Sequence, residues 1–239
     1  MTRPSSAFDA TMNSTGTDRP VIVFDILGTL VDQAGSLRRQ VSAVTGWDEV
    51  SATRVVTTWL DLVAKREREI ISGSSAFAPS HVLDAEALER IAAEGELPMT
   101  AVQPLSDAAQ RLEPWPDAVE GLTRLAADVT LMGLSNASRR VLTGLSGRSG
   151  LRWHQVLSAE DANTYKPDPA IYRVALSAAP VDAPPPYFVA AHAWDLRAAA
   201  KAGLRTAYVP RPNGDPPGDN DTFELYAENL IELHAKLRN

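Results

Sequence analysis

From Ala118 to Val209 the chain alternates amphipathic stretches with short, continuous apolar runs, and no other feature constrains its fold so tightly. A run that is apolar at nearly every residue has to be covered on both faces, which is the condition of an inner strand of a parallel sheet with helices on either side. The order predicts helix Ala118 to Ala127, strand Val129 to Leu134, helix Ser138 to Leu145 and strand Gln155 to Ser158. It continues with helix Pro169 to Ala178, strand Tyr187 to Ala191, helix Leu196 to Ala202 and strand Arg205 to Val209. An earlier run, Val21 to Phe24, adds one more strand, and the expected fold is a doubly wound, Rossmann-like α/β domain. Pro210 to Asn220 reads as a surface loop and Phe223 to Leu237 as a final amphipathic helix.

Between the first strand and the alternating part lies a stretch of a different kind. Val50 to Ile71 carries Val55, Val56, Trp59, Leu62, Val63 and Ile70 at mixed three- and four-residue spacings, with Lys65, Arg66, Glu67 and Arg68 read as outward, and Gly73 closes it. Leu83 to Ala93 and Pro104 to Leu112 read as two further helices, and Pro114-Trp115-Pro116 ends the series. The expected organisation is a disordered tail over 1–19, a core made of 20–34 and 113–239, and an all-helical cap over 35–112.

Composition excludes several classes of function. The chain has no cysteine, so disulfides, thiolate metal sites and a cysteine nucleophile are ruled out together. A net charge of -7 with no basic run disfavours nucleic acid and anionic membrane surfaces as partners. The first nineteen residues hold no apolar run of the signal-peptide kind, and no stretch approaches the roughly 18 apolar residues of a membrane span, so a cytoplasmic location is expected.

In open α/β sheets, ligands bind beyond the carboxyl ends of the strands. The polar residues at those positions are Asp25 and Thr29, Ser135 and Asn136, Lys166, and His192 and Asp195. Each Asp, Ser or Thr here has an ordinary alternative as a helix cap. Their setting, however, resembles a known family. FDILGTLVD at 24 to 32, LSNAS at 134 to 138, YKPDPAIY at 165 to 172 and AWDLRAAAKAGLRT at 193 to 206 are similar to the four ordered motifs of the haloacid dehalogenase superfamily. Within it, the pattern is closest to the type II (S)-2-haloacid dehalogenases.

The resemblance implies Asp25 as a nucleophile that forms a covalent ester, with Thr29 and Ser135 orienting it or donating to substrate oxygens. It implies Lys166 as the balancing cation, Asp195 as the residue that holds the lysine and helps position water, and Asn136 as a ligand of a substrate carboxylate. Trp194 lies in the fourth motif, and His192 stands where many dehalogenases have Asn. Asp168, just before Pro169, reads as a helix N-cap.

Two positions depart from the phosphatase pattern of the superfamily. Leu27 replaces the second aspartate that serves as acid and base, and Ala190 replaces one magnesium-binding carboxylate. The expected chemistry therefore uses no metal and no cofactor. A third position departs from the dehalogenase pattern: Leu60 follows Trp59 where an arginine receives the leaving halide. Arg38, Arg54 and Lys65 are candidate substitutes.

The leading expectation is a carbon-centred hydrolase acting on a small 2-substituted carboxylic acid, with a homodimer as a possible assembly. A second reading takes Leu60 at face value and expects ring opening, as in azetidine-2-carboxylate hydrolases, against an apolar wall of Leu27, Trp59 and Leu60. A catalytically impaired binding module is a third, and a magnesium-dependent phosphatase is the least favoured.

Overall fold

The computed structural model describes residues 19–180 and 183–238. The tail expected over 1–19 lies outside them except for Arg19. The core is a six-stranded parallel sheet built from β1 (Val21–Asp25), β4 (Thr130–Ser135), β5 (Gln155–Ser158), β6 (Tyr187–Ala190), β7 (Arg205–Tyr208) and β8 (Leu225–Tyr226), in the order β5-β4-β1-β6-β7-β8. A separate antiparallel pair, β2 (Val31–Asp32) with β3 (Glu113–Pro114), ties together the two ends of the helical insert.

The connections explain where a site belongs. From β1 the chain builds outward through β4 and β5, then returns to add β6, β7 and β8 on the other flank. The crevice at this reversal opens beyond the ends of β1, β4 and β6, where adjacent connections leave in opposite directions. All five residues of β1 are buried, as a central strand requires, and Val21 to Asp25 register against Thr130 to Leu134.

Helices α5 (Ala118–Asp128), α6 (Arg139–Ser149), α7 (Pro169–Ala178), α8 (Ala193–Ala202) and α9 (Leu230–Leu237) accompany the sheet. The cap consists of α1 (Gln33–Thr45), α2 (Glu49–Ile71), α3 (Ser80–Ala93) and α4 (Met99–Leu105), followed by a 3-10 turn at Ala108–Arg111. The fold is the expected doubly wound core with a helical cap.

Two local expectations are corrected, and one helix is added. Helix α1 is not singled out by periodicity because Leu37 and Val41 are its only large buried side chains; Asp32 starts it by accepting the Gly35 N–H at 2.9 Å. Pro104 does not open a helix reaching Leu112 but sits inside α4, which ends at Leu105 and gives way to the 3-10 turn. Phe223 to Leu237 is not one helix. Phe223 and Tyr226 pack around Tyr208, Leu225–Tyr226 pairs with β7, and only after Asn229 accepts the Glu232 N–H does α9 begin.

Candidate active site

Asp25 is the last residue of the central strand, so its carboxylate emerges at the reversal point of the sheet. Lys166 reaches it from the loop before α7, with Nζ 2.8 Å from Asp25 Oδ1 and 2.8 Å from Asp195 Oδ2. Asp195 sits in the first turn of α8, and the three side chains are between 1% and 7% exposed. Isolated charges at such depth would be strongly disfavoured, so each is held by partners. The Thr29 hydroxyl donates to Asp25 Oδ2 at 2.6 Å and accepts the Ala191 N–H at 2.9 Å, which joins the loop after β1 to the end of β6. The Tyr172 hydroxyl donates to Asp195 Oδ1 at 2.5 Å, and the Lys166 ammonium lies 4.7 Å from the Phe188 ring centroid.

Burial alone would lower the pKa of the Lys166 ammonium, but the carboxylates of Asp195 and Asp25 outweigh it and hold the group above its ordinary value. The two carboxylates therefore favour the charged form of the lysine. Burial beside Asp195 raises the Tyr172 phenol, which stays a donor. A divalent cation set between Asp25 and Asp195 would compete with an ammonium already bridging them, so this donor set does not fit a magnesium ion.

The cluster opens onto a cavity of about 220 Å³. Its core wall is formed by Asp25, Leu27, Asn136, Lys166, His192 and Trp194. Its cap wall is formed by Gln33 at the start of α1 and by Leu60, Val63, Ala64 and Glu67, which share one face of α2 at spacings of three, four and seven. Gly28 is needed beside it: its φ is +85° and an added Cβ would lie 2.6 Å from His192 Nε2. The His192 ring stacks on Trp194 at a centroid distance of 6.0 Å.

Asp25, Thr29, Lys166 and Asp195 are thus brought together, with Asn136, Leu27, Leu60, His192 and Trp194 around the cavity. Asp168 caps α7 by accepting the Ala170 N–H at 2.8 Å. Two candidates stand elsewhere. Ser135 is buried and accepts the Ala137 N–H at 3.1 Å, shaping the turn after β4 rather than bonding Asp25. Trp59 is 1% exposed inside the cap, where its Nε1 donates to Asp84 Oδ1 at 2.8 Å. One residue along a helix is about 100° around it, so Leu60 faces the cavity while Trp59 turns into the cap core. Asp84, pushed up to about 6 by burial, is held by that indole.

The largest correction concerns Glu67, which faces the cavity instead of solvent. Asn136 Nδ2 donates to Glu67 Oε1 at 3.2 Å while Asn136 Oδ1 accepts the Lys166 N–H at 2.9 Å. Burial pushes Glu67 up to about 8, opposed by the Asn136 hydrogen bond and the Lys166 and Arg68 charges, and assisted by the Asp84 charge. The sequence signal was its spacing of seven from Leu60; a run of five charged residues masked it. Arg38 pairs with Glu49 at 3.3 Å, and Arg54 and Lys65 are exposed. Among the described residues, the cap wall of the cavity carries no cation.

A 28% identical (S)-2-haloacid dehalogenase of Pseudomonas putida aligns over 207 residues, 81% of this chain and 85% of that protein. An (S)-2-haloacid dehalogenase of Burkholderia cepacia is 37% identical over 132 residues, 54% of this chain and 57% of that protein. The crystal structure of the L-2-haloacid dehalogenase PA0810 superposes with a TM-score of 0.82 at 30% identity, over 92% of this chain and 99% of that one. The profile of the haloacid dehalogenase-like hydrolases matches residues 20–203, which hold the whole of β1 and α8 and every group of the charge cluster; the chain belongs to that family of hydrolases.

Proposed function

We propose that the protein hydrolyses a bond at C2 of a small 2-substituted carboxylate through an ester on Asp25. The observation that carries this reading is the Asp25 carboxylate at the cavity wall, held between the Lys166 ammonium at 2.8 Å and the Thr29 hydroxyl at 2.6 Å. Each of its oxygens accepts one of these donors and retains lone-pair capacity for attack. Carbon–oxygen bond formation at C2 expels the substituent, and water then cleaves the ester at the Asp25 carbonyl. Lys166 offsets negative charge on Asp25 and on the tetrahedral intermediate. Asp195, fixed by Tyr172, keeps the ammonium in place, and Asn136 offers its amide edge to the substrate. A cavity of about 220 Å³ is of a size for a small carboxylic acid.

Relatives named (S)-2-haloacid dehalogenases make a halide the first leaving group to try. A second reading rests on Leu60, whose place on the cap wall leaves a departing halide without a facing cation; it takes a non-halide leaving group, as in the opening of azetidine-2-carboxylate. The deciding measurement is chloride release from (S)-2-chloropropionate with chelator present, paired with mass analysis of the Asp25 peptide after a single turnover in 18O-water. Label in Asp25 and a loss of about 10⁴-fold or more in kcat for Asp25→Asn are expected. Full turnover by Asp25→Asn would end the reading.

A further inference from the structure

Glu67 is a carboxyl group that the ester mechanism does not use, standing on the cap wall of a cavity that Asp25 closes from the core side. The orientation of its neighbour fixes where its proton sits. Asn136 must turn Oδ1 toward the Lys166 N–H, so it presents Nδ2 to Glu67, and Glu67 Oε1 is an acceptor. In the neutral acid the proton therefore resides on Oε2, the oxygen left for the cavity. In a displacement at C2, the leaving atom departs on the side away from Asp25, which is the side α2 covers.

The remaining residues on that face, Leu60, Val63 and Ala64, offer nothing to a departing charge. A halide needs a cation or donors but no proton. A protonated ring amine already carries its proton. An alkoxide is the most basic of the three and gains most from a proton as it departs. Resting on the Asp25 reading above, we propose that Glu67 is the general acid for a leaving oxygen, and that the substrate class is small 2-carboxylates in which C2 is bonded to a strained ring oxygen, with oxirane-2-carboxylate as the smallest case.

The bookkeeping of atoms is complete within the site. Asp25 forms a bond to C2, the C2–O bond breaks, and its electron pair stays on the ring oxygen, which takes the Glu67 proton. Water then adds to the Asp25 ester carbonyl. Its oxygen stays on Asp25, one proton goes to the released C2 hydroxyl and the other returns to Glu67. The product is 2,3-dihydroxypropionate.

Charged and titratable groups face Glu67 from every side. Asp84 on α3, Lys166 on the loop before α7 and Arg68 on α2 itself act on its charge, and Tyr165 on that loop and Asp25 and His192 across the cavity stand around it.

The experiment follows ring opening of oxirane-2-carboxylate from pH 6 to 9 by the intact protein, Glu67→Gln and Glu67→Asp, with the Asp25 peptide weighed after one turnover in 18O-water. The expected result is turnover by the intact protein, a kcat that falls as pH rises through about 8, and label in Asp25. Glu67→Gln should lose about 10²-fold or more in kcat with KM within about threefold, and Glu67→Asp should recover part of it. A flat kcat profile, or full turnover by Glu67→Gln, overturns the proposal. So does label in Asp25 from (S)-2-chloropropionate with an untouched oxirane, an outcome that leaves the nucleophile standing. Label from neither compound removes both readings. Should Glu67→Gln fail to fold, Glu67→Asp and the pH profile of the intact protein decide.

Discussion

On the core wall of the cavity, an ammonium meets two carboxylates at 2.8 Å inside a frame of hydroxyl and backbone donors. On the cap wall, beside the Gln33 amide, four residues of one helix present three aliphatic groups and one acid. The first arrangement leaves little freedom: each member loses its partner if another moves. The second is a surface on which single side chains can change without disturbing their neighbours. On the proposed reading, the comparison teaches that the core governs how the bond at C2 is attacked, while α2 governs which atom can leave.

The contrast breaks most visibly at the lysine. Lys166→Met would leave two buried carboxylates uncompensated, and urea unfolding should show a loss of about 3–5 kcal/mol along with loss of turnover. A loss below about 1 kcal/mol would mean that the cluster is hydrated and the core wall is no more rigid than the cap. A cap substitution should act on rate instead. Leu60→Arg places a cation on the cap wall, and chloride release from (S)-2-chloropropionate should rise by about 10²-fold with the Asp25 chemistry unchanged. An unchanged rate would show that α2 does not select the leaving group.

Tyr172→Phe sharpens the same comparison from within the core. It removes a charge-assisted hydrogen bond to Asp195, and a stability loss of about 1.5–3 kcal/mol is expected by urea unfolding. The smallest effect belongs to Glu67. Folding raises its pKa from an ordinary 4.5 to about 8, so its stabilising contribution is complete below about 4.5 and is lost as pH rises through about 8. Between pH 6 and 9 the urea midpoint of the intact protein should fall more than that of Glu67→Gln. Equal declines would place Glu67 in solvent.

Much of the core was legible because strands buried on both faces leave an unambiguous record. Val21 to Phe24 and Tyr187 to Ala190 are apolar throughout, and the turn residues that follow them sit where parallel sheets open. Asp25, Lys166 and Asp195 could be placed at one edge for that reason, and the resemblance to the family made them partners. The cap was less legible because helical periodicity tells which residues avoid water, not which of two apolar surfaces receives them. Trp59 and Leu60 are both apolar, yet one fills the cap core and the other lines the cavity. Glu67 failed the same test in reverse, since a carboxyl group on a charged run reads as solvated unless its burial is known. Ser135 accepts the Ala137 N–H in place of a contact with Asp25, because a serine after a strand serves its own turn as readily as a neighbouring carboxylate.

Asp25 and Lys166 are neighbours in space but stand 141 positions apart in the chain. Their meeting requires β1 to have paired with β4 on one side and β6 on the other, and the loop before α7 to have closed over both. Contacts of such separation form late, because the entropy of closing long loops is spent before they reward it. A half-folded chain therefore holds a hydrated, unassisted aspartate and no reactive pair. The first turnover of a newly made or refolding molecule is a clock that starts only when the whole sheet is in place, and recovery of activity after dilution from urea should trail the return of helical signal.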